Sequence, residues 1–462
     1  MHRLHRYLLV ASLAFAGATQ ALAANPYLPA WEYIPDGEPR LFGDRVYVYG
    51  SHDRAGSTRF CDFQLRVWSA PLSDLNNWTD HGISFATIAH EGHGDDVPWS
   101  DRELYAPDVV EKGGKYYLFA YIVGSPCAVA VSDSPKGPFK TIGQIKAPAD
   151  APSDFGGWGQ YIDPGVLVDD DGKVFIYWGY QNSHLAQLDP ATMVDVRPDT
   201  YQADIVPKEK PFNFFEACSP RRIGDTYYLV YADGSILVYL TSKSPNGPFT
   251  YGGPIIRNGR DYPGGNIHGG LVRLNGQWYI FYHRMTNNTL YSRQACAERI
   301  TIKPDGSIDE VEMTSLGFED KLDPYRTWSA HYACVLTGGN YITEFDRDTH
   351  PVVNNREGSV VGFKYFDFGT TTAGEKLIFT AAIHATGPGR ITVFSGAADK
   401  AKGGIELGSA IIASHGEHPT DWQKITVEIP APSGRQAIFV RFTSESGDKF
   451  NCELQSIAFQ RH

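Results

Sequence analysis

Residues 33–50 read YIPDGEPRLFGDRVYVYG, and the pattern of this stretch decides the fold. A polar residue, Asp36, precedes a short apolar strand, a Gly-Asp turn and an aromatic strand of alternating character. The pattern returns four times, at residues 104–121, 161–179, 214–232 and 266–283. A pair containing Gly at a tight turn between two such strands is typical of a β-hairpin.

A second pattern follows the hairpins. After the aromatic strand comes a third strand and then a Pro/Gly turn with an aromatic residue, as in AVAVSDSPKGPF at 128–139 and VYLTSKSPNGPF at 238–249. Each unit therefore holds about four strands, which is the content of one blade of a β-propeller. Five units predict an all-β chain with a five-bladed β-propeller over residues 24–318. One large β-sandwich or an irregular all-β enzyme is the alternative.

The residues that open the five units share one position in this fold. The innermost strand of every blade lines the central axis, so its first residue lies at the rim of the axial funnel. These residues are acidic in four units and histidine in the fifth: Asp36, Asp108, Asp163, Glu216 and His268. Although they are far apart in sequence, we expect them to converge in space.

Carboxyl groups that face one funnel suit the cleavage of a glycosidic bond, in which one activates water and another protonates the leaving oxygen. Glu216 follows two phenylalanines and would face Asp163. Low polarity and a nearby negative charge both raise the pKa of a carboxyl group, so Glu216 is the candidate acid. Asp36 lies in a Pro-Asp-Gly turn, where backbone N–H groups can hold it ionised, so it is the candidate base.

At these residues the chain resembles glycoside hydrolase family 43, whose members are five-bladed propeller enzymes that invert the anomeric centre. The segment around Asp36 resembles the first-blade segment whose Asp is the general base. The Ile-Asp-Pro segment at Asp163 resembles the one whose Asp modulates the pKa of the acid. FFEAC at 214–218 resembles the fourth-blade segment of the general acid, which implies this role for Glu216. Many members have Glu-Gly-Pro where this chain has Glu-Ala-Cys.

The resemblance also implies substrate-binding residues. Tyr105 replaces the Trp of the family's Trp-Ala-Pro segment, Asp108 follows it, and Arg293 matches an Arg that touches substrate. NIHGG at 266–270 matches the segment of the axial His, often near a bound calcium ion. His268 is therefore a candidate for substrate binding and for a metal contact through water. We expect no required cofactor, and the metal that the family implies is a structural Ca²⁺ in the propeller axis.

The repeated pattern is absent from residues 319–462. Short alternating strands such as VVGFKYFDFG at 360–369 and GRITVFSG at 389–396 predict a β-sandwich, jelly-roll-like, as a separate domain. This part resembles a family 6 carbohydrate-binding module. In that family an Asn near the end helps to hold sugar, which implies that role for Asn451. The family's Asn-Leu-Asp-Trp run is not kept, because Cys452 follows Asn451.

The first 23 residues have the pattern of a secretory signal peptide. A basic start at Arg3 and Arg6 precedes an apolar run at residues 8–18 that is too short to span a bilayer, and Ala21-Leu22-Ala23 matches a cleavage site. We expect cleavage after Ala23 and a secreted protein, periplasmic or extracellular. Six cysteines in such a compartment leave disulfide pairing open.

Charge and site chemistry together define the expected function. A formal net charge of −12 over 462 residues argues against nucleic acid or an anionic membrane as partner. An oligo- or polysaccharide is the expected partner, and no obligate protein partner is evident. We interpret the chain as a secreted, inverting exo-glycoside hydrolase that releases terminal furanosyl sugars, of the α-L-arabinofuranosidase type. The alternatives are a β-D-galactofuranosidase or β-xylosidase on the same scaffold, and a non-catalytic sugar-binding propeller.

Overall fold

A computed structural model describes residues 24–147, 151, 161–414, 422–445 and 450–461 of the chain. The predicted signal peptide, residues 1–23, lies outside these residues. The prediction of an all-β protein is confirmed, because the described residues form 30 strands and two short 3₁₀ turns, Ala330–Tyr332 and Lys400–Lys402. Neither of these described helical turns is long and apolar enough to cross a membrane.

Five antiparallel sheets follow one another between residues 38 and 300, and neighbours in each sheet are consecutive in sequence. The first contains β1 (Glu38–Phe42), β2 (Arg45–Tyr49), β3 (Gln64–Pro71) and β4 (Thr79–Ala86). The second contains β5 (Leu104–Lys112), β6 (Lys115–Ile122), β7 (Ser125–Ser132) and β8 (Lys140–Gln144). The third contains β9 (Gly165–Val168), β10 (Val174–Trp178), β11 (His184–Leu188) and β12 (Gln202–Ala203). The fourth contains β13 (Glu216–Ile223), β14 (Thr226–Asp233), β15 (Ile236–Ser242) and β16 (Thr250–Arg257), and the fifth contains β17 (Leu271–Leu274), β18 (Gln277–Thr286) and β19 (Thr289–Ile300).

The predicted hairpin turns are confirmed by the strand register. Each lies between the paired first and second strands of a sheet. Phe42 pairs with Arg45 across the turn at 43–44, and Leu274 pairs with Gln277 across the turn at 275–276. Gly43 and Gly276 adopt φ values of 61° and 85°, which is the left-handed region that tight hairpin turns need and that glycine enters without strain.

The fifth sheet departs from the predicted four strands per unit, since three of its strands are found in the described residues. The N-terminal segment lies beside β19 instead. Tyr27 N–H donates to the carbonyl of Ala295, and Ala297 N–H donates to the Asn25 side chain. A segment more than 250 residues away in sequence therefore covers this sheet edge, which no local pattern could reveal.

The first strands of the five sheets contact one another in series, in the order β17-β1-β5-β9-β13. β1 contacts β5 and β17, and β9 contacts β5 and β13. Second strands such as β6 and β14 are buried at nearly every position beyond their first few residues, as expected for strands inside a stack of sheets. This arrangement brings the residues that precede or open the first strands to the same end of the molecule.

The C-terminal strands form two further antiparallel sheets. In chain order the strands are β20 (Trp328–Ser329), β21 (Val335–Thr337), β22 (Tyr341–Ile342), β23 (Val352–Asn355), β24 (Val360–Asp367), β25 (Lys376–Ala385), β26 (Gly389–Ser395), β27 (Ile405–Ile412), β28 (Gln423–Pro430), β29 (Arg435–Ser444) and β30 (Cys452–Arg461). One sheet has the order β22-β23-β30-β25-β28 with β20 paired to β30, and the other has the order β21-β24-β29-β26-β27.

One hydrophobic cluster joins the C-terminal sheets to the rest of the chain. Phe379 and Ile457 from one sheet and Val440 from the other share this cluster with Tyr282 and Ile280 of β18. The two parts of the chain therefore pack directly on each other. All six cysteines are buried free thiols, so the disulfide pairs that the sequence left open are not formed among them.

Candidate active site

Five predicted site residues line one pocket. The pocket has a volume of about 720 Å³, and its walls include Asp36, Tyr105, Asp163, Glu216 and Arg293. They come from the first, second, third, fourth and fifth sheets or the segments that lead into them. The predicted convergence of the three candidate catalytic carboxyl groups therefore holds in the structure.

The backbone at the three candidate catalytic carboxyl residues is unusual. Asp36 and Asp163 have φ values of 57° and 50°, and Ala217, next to Glu216, has a φ of 70°. Residues other than glycine rarely adopt this region, and such strain is found mainly where the surrounding structure fixes a functional group. The same deviation recurs at the start of three separate sheets, and it turns the three carboxyl groups toward one cavity.

Asp36 is buried but held as a carboxylate. Its Oδ1 accepts a hydrogen bond of 2.9 Å from Arg293 Nη1, and its Oδ2 accepts one of 2.6 Å from the Ser51 hydroxyl. Burial opposes ionisation, but the charge of Arg293, aided by the charge of His268 and the hydrogen bond from Ser51, lowers the pKa of Asp36 below its ordinary value of 3.8. This side chain is therefore a proton acceptor at neutral pH.

The source of this ionisation differs from the sequence-based expectation. The Asp36 N–H donates a hydrogen bond of 3.1 Å to His283 Nδ1, so the turn does not hold its own carboxylate. His283 Nε2 lies 3.0 Å from the carbonyl of Asn266, which fixes its proton on that nitrogen. Burial lowers the pKa of His283 to about 3, so this ring stays neutral. Arg293, from the fifth sheet, stabilises the Asp36 carboxylate, a role that the sequence analysis gave to the N–H groups of the Pro-Asp-Gly turn.

Asp53 is a site residue that the sequence analysis missed. Its carboxylate accepts hydrogen bonds of 2.8 Å from Arg293 Nε and 3.0 Å from Arg293 Nη2. This paired geometry leaves Nη1 of the planar guanidinium pointing at Asp36. Asp53 follows β2 in the segment GSHDR at 50–54, and its only sequence signal is an acid directly after an aromatic strand.

Glu216 has the opposite electrostatic character. Burial raises its pKa to about 8, and the charges of Asp163 and Asp36 add to the increase. Burial also raises the pKa of Asp163, to about 6. At neutral pH the pocket therefore holds a protonated Glu216 together with an ionised Asp36, which gives one proton donor and one proton acceptor around a single cavity.

Apolar and aromatic side chains form much of the remaining wall: Phe60, Tyr105, Ile162, Tyr180, Phe215 and Leu290. Tyr180 and Phe215 meet edge to face with ring centroids 5.2 Å apart. Such a wall, with few charged groups, is suited to a small neutral ligand that has both apolar faces and hydroxyl groups.

Three predicted binding residues lie elsewhere in the described structure. Asp108 is fully buried below the pocket, where its carboxylate accepts hydrogen bonds from Arg40 Nε at 2.9 Å and Val166 N at 2.8 Å. His268 is buried with its ring nitrogens 3.6 Å from Glu38 Oε1 and 3.8 Å from Asp163 Oδ2. Asn451 lies directly before β30 in the C-terminal part, where its carbonyl accepts from Thr386 N. Thus none of the three contributes to the described wall of the pocket.

Two arginines tie the first strands together beneath the pocket. Arg40, from β1, contacts Asp108 of β5 and donates to the carbonyl of Val166 in β9 at 3.0 Å. Arg221, from β13, donates to Glu38 Oε2 at 2.6 Å and to the carbonyl of Leu271 in β17 at 2.9 Å. All five sheets are thereby linked through two guanidinium groups.

Room for this network depends on a glycine. A side chain at Gly270 would have its Cβ 2.7 Å from Glu38 Oε2 and 3.0 Å from Arg221 Nη2, so both ends of the ion pair would have to move. Gly270 is therefore explained by close approach of the buried ion pair, whereas a Cβ at Gly269 would overlap the backbone carbonyl of Phe281.

Among the described residues, the protein atoms at this centre offer no set of direct ligands for the calcium ion expected near His268. Calcium takes six to eight oxygen ligands. Here one oxygen, Glu38 Oε1, is buried without a hydrogen-bond partner among the described residues, and Arg40 and Arg221 place two positive charges beside it. His268 offers nitrogen only, and Glu38 and Asp163 raise its pKa to about 9 against the effect of burial. No group of three or more His, Cys, Asp or Glu in the described ranges could hold a metal ion.

Comparison with known proteins agrees with this chemistry. A family model described as glycosyl hydrolases family 43 matches residues 38–308. A xylosidase/arabinosidase of Thermoclostridium stercorarium is 37% identical over 399 residues, which cover 74% of this chain and 82% of that protein. An arabinoxylan arabinofuranohydrolase of Bacillus subtilis is 29% identical over 465 residues, which cover 89% of this chain and 88% of that protein.

Similarity to a solved structure extends over both parts of the chain. The crystal structure of a glycoside hydrolase family 43 arabinoxylan arabinofuranohydrolase from Bacillus subtilis, in complex with cellotetraose, aligns with a TM-score of 0.55 and 24% identity. The alignment covers 96% of this chain and 100% of that chain. This similarity is one of fold.

Proposed function

The chain belongs to glycosyl hydrolases family 43, and from that premise we propose that it releases terminal furanosyl sugars from a polysaccharide as an α-L-arabinofuranosidase. It is a glycoside hydrolase. The names of its relatives include xylosidase/arabinosidase and arabinoxylan arabinofuranohydrolase, which supports an arabinofuranoside or xyloside as substrate. A β-D-galactofuranosidase or β-xylosidase on the same scaffold is the second candidate, supported by relatives that carry those names.

The observation that carries this proposal is the pairing of a protonated and an ionised carboxyl group in one pocket. Glu216, with its pKa raised to about 8 by burial and by two neighbouring acids, donates a proton to the leaving oxygen. Asp36, ionised beside Arg293, takes a proton from the attacking water. The charge of Asp163 adds to the effect of burial, which is the main cause that keeps Glu216 protonated.

The proposed reaction is a single displacement. The water oxygen forms a bond to the anomeric carbon as the bond to the leaving oxygen breaks, one proton moves from water to Asp36, and one moves from Glu216 to the leaving oxygen. The anomeric centre is inverted. Tyr105 contacts the bound sugar, and Arg293 acts mainly by fixing Asp36. Asp108, His268 and the axial arginines hold these residues in position.

We propose that the enzyme has two parts. The five sheets between residues 24 and 318 form a five-bladed propeller, and the contacts among their first strands support this. Residues 319–462 form a β-sandwich related to family 6 carbohydrate-binding modules, with Asn451 as a sugar contact. We propose that the enzyme needs no metal, because Arg40 and Arg221 supply positive charge between the first strands, where an axial cation was expected. Secretion with cleavage after Ala23 remains a prediction for residues 1–23.

The experiment that tests the function is a screen of para-nitrophenyl α-L-arabinofuranoside, β-D-xyloside and β-D-galactofuranoside with the wild-type enzyme and Glu216→Ala. The arabinofuranoside is expected to be cleaved fastest. Glu216→Ala should lose hydrolysis of arabinoxylan, whose sugar leaving group needs a proton, while keeping its melting temperature. Retained hydrolysis of arabinoxylan in that variant would refute the assignment of the acid, and a wild-type protein that binds these sugars without cleaving any would indicate a non-catalytic sugar-binding propeller.

A further inference from the structure

One loop of the C-terminal part reaches the part of the chain that carries the candidate catalytic residues. It comprises residues 343–351 and joins β22 to β23. Thr343 N–H donates to the carbonyl of Pro351 at 3.1 Å, and Phe345 N–H donates to the carbonyl of Thr349 at 3.0 Å. The 343–351 loop is therefore held in shape by its own backbone hydrogen bonds.

The loop contacts the N-terminal segment at two points. The guanidinium carbon of Arg347 lies 3.8 Å from the ring centroid of Trp31, which is a cation–π contact. Two residues farther along the segment, the Tyr33 hydroxyl donates a hydrogen bond of 2.7 Å to Glu344 Oε2. Burial and then this hydrogen bond raise the pKa of Tyr33, so its hydroxyl keeps the proton that it donates. A buried tyrosine thus links the N-terminal segment to the C-terminal part.

Asn287 joins the same contact from the fifth sheet. It lies in the turn between β18 and β19, the hairpin whose second strand carries Arg293. Its Oδ1 accepts from Glu344 N at 3.0 Å, and its Nδ2 donates to the Tyr33 hydroxyl at 3.3 Å. Its own N–H donates to the carbonyl of Ile342 at 2.7 Å. The N-terminal segment, the C-terminal loop and the hairpin of the active-site arginine therefore meet at one point.

The connection continues from Tyr33 to the candidate base. The carbonyl of Tyr33 accepts a hydrogen bond of 2.9 Å from Asp53 N–H, and the Asp53 carboxylate holds Arg293. Along the chain, Tyr33 precedes Asp36 by three residues. Both members of the ion pair between Arg293 and Asp36 are therefore fixed next to the residue that Glu344 contacts.

We propose that Glu344 is a positioning residue for the catalytic base, because its contact with Tyr33 fixes the backbone that leads to Asp36. Through Asp53 the same contact fixes Arg293, so the C-terminal part of the chain maintains the ion pair of the active site. Glu344 is not part of the described pocket wall, so it acts through Tyr33 and not on the sugar. The proposal rests on the proposed function, in which Asp36 is the base.

The acidic limb of kcat/KM reports this role. Asp36 is buried, so a looser contact with Arg293 raises its pKa and moves the limb to higher pH. Removal of a negative charge acting directly on Asp36 would lower its pKa, so the direction of the shift separates positioning from a charge effect. The other titratable groups that interact with Asp36 are present in every variant: Asp53, Cys61, Asp163, Glu216, His268 and His283.

The test uses the full chain and the para-nitrophenyl glycoside that the wild-type enzyme cleaves fastest. We compare the pH profile of kcat/KM, kcat at the optimum and the melting temperature in Glu344→Ala, Glu344→Gln and Tyr33→Phe. The glutamine keeps an oxygen that accepts from Tyr33, and the phenylalanine removes only a hydroxyl group.

Glu312→Ala is the matched control. Glu312 accepts hydrogen bonds from the Tyr365 hydroxyl and, at 2.7 Å, from Lys364 Nζ. Both of these donors belong to β24 of the C-terminal part, whereas Val311 N–H is bonded to the carbonyl of Ile255 in β16. The control therefore removes another glutamate–tyrosine contact between the same two parts of the chain, away from the N-terminal segment.

Glu344→Ala and Tyr33→Phe should move the acidic limb upward by about one pH unit and lower kcat about tenfold. Glu344→Gln should keep the wild-type profile, and Glu312→Ala should leave the limb in place even if its melting temperature falls. Shifts in Glu344→Ala and Tyr33→Phe no larger than in Glu312→Ala, or a limb at lower pH, overturn the positioning role while the proposed function stands. A folded wild-type enzyme that cleaves none of the glycosides overturns both.

Discussion

Arg293 Nη1 lies 2.9 Å from Asp36 Oδ1, and this ion pair determines which carboxyl group of the pocket accepts a proton. Both side chains are buried, and Asp53 holds the other side of the guanidinium. A buried acid without such a partner has a raised pKa, as Glu216 does. One arginine therefore separates the protonation states of two acids that line the same pocket.

Removal of this arginine should change the acid side of the pH profile. In Arg293→Gln the pKa of Asp36 rises, because burial is no longer offset by the guanidinium. The base must be ionised to act, so the acidic limb of kcat/KM should move to higher pH. An unmoved acidic limb in a folded variant would argue against Asp36 as the base. Asp53 also loses its partner, so we expect the free energy of unfolding to fall by about 3–5 kcal/mol, measured by urea denaturation.

In Glu216→Gln, the loss in kcat should depend on the leaving group of the substrate. The acid works when protonated, so wild-type activity is expected to persist below a pH of about 8 and to fall as the pH rises through that value. In Glu216→Gln this alkaline limb should disappear. The loss in kcat should be about 10²–10⁴-fold for an alkyl aglycone, and much smaller for 2,4-dinitrophenol, which departs without a proton. Equal losses on both substrates would contradict the role of acid.

Asp163→Asn tests the coupling between two acids. Burial is the main cause of the high pKa of Glu216, and the charge of Asp163 adds to it. Without that charge the pKa of Glu216 falls, so the alkaline limb of kcat/KM should move to lower pH. Asp171→Asn, in an exposed turn of the same sheet, is the control and should leave the profile in place. A limb that moves to higher pH in Asp163→Asn would refute this account.

The features that sequence could predict are those with a local signal. Gly43 and Gly276 mark turns because tight hairpins need positive φ, and the repeated hairpins led to the all-β fold. Asp36, Asp163 and Glu216 were found because the same position in each repeat must face the same centre. The repeated pattern therefore predicted that these three side chains lie close together, which a single motif could not have predicted.

The features that sequence could not predict depend on contacts between distant segments. Arg221 reaches Glu38 across 183 residues, and Asp53 reaches Arg293 across 240. Asp108 has the same phase as Asp163, yet its pairing with Arg40 removes it from the pocket. The repeat gives the position of a backbone but not the partner of a side chain, so it could not show that Asp108 lies away from the described wall of the pocket.

The buried arginines lead to a prediction about metal dependence. Exhaustive treatment with EDTA should leave both kcat and the melting temperature unchanged, because Arg221 and Arg40 already supply positive charge at the centre. Arg221→Met should lower the free energy of unfolding by about 3–5 kcal/mol, since Glu38 is then buried without its partner. Lys303→Met, which breaks an exposed pair with Asp309, is the control and should have little effect. Loss of activity in EDTA that calcium restores would contradict this prediction.

The central claim is that Asp36 activates water while Glu216 protonates the leaving oxygen in a single displacement. Proton NMR of the sugar released in the first minutes of hydrolysis, before mutarotation, tests it most directly. The account predicts that the first-formed anomer has the configuration opposite to that of the substrate. A first-formed anomer with the retained configuration would contradict it, because a carboxylate would then have attacked the sugar itself.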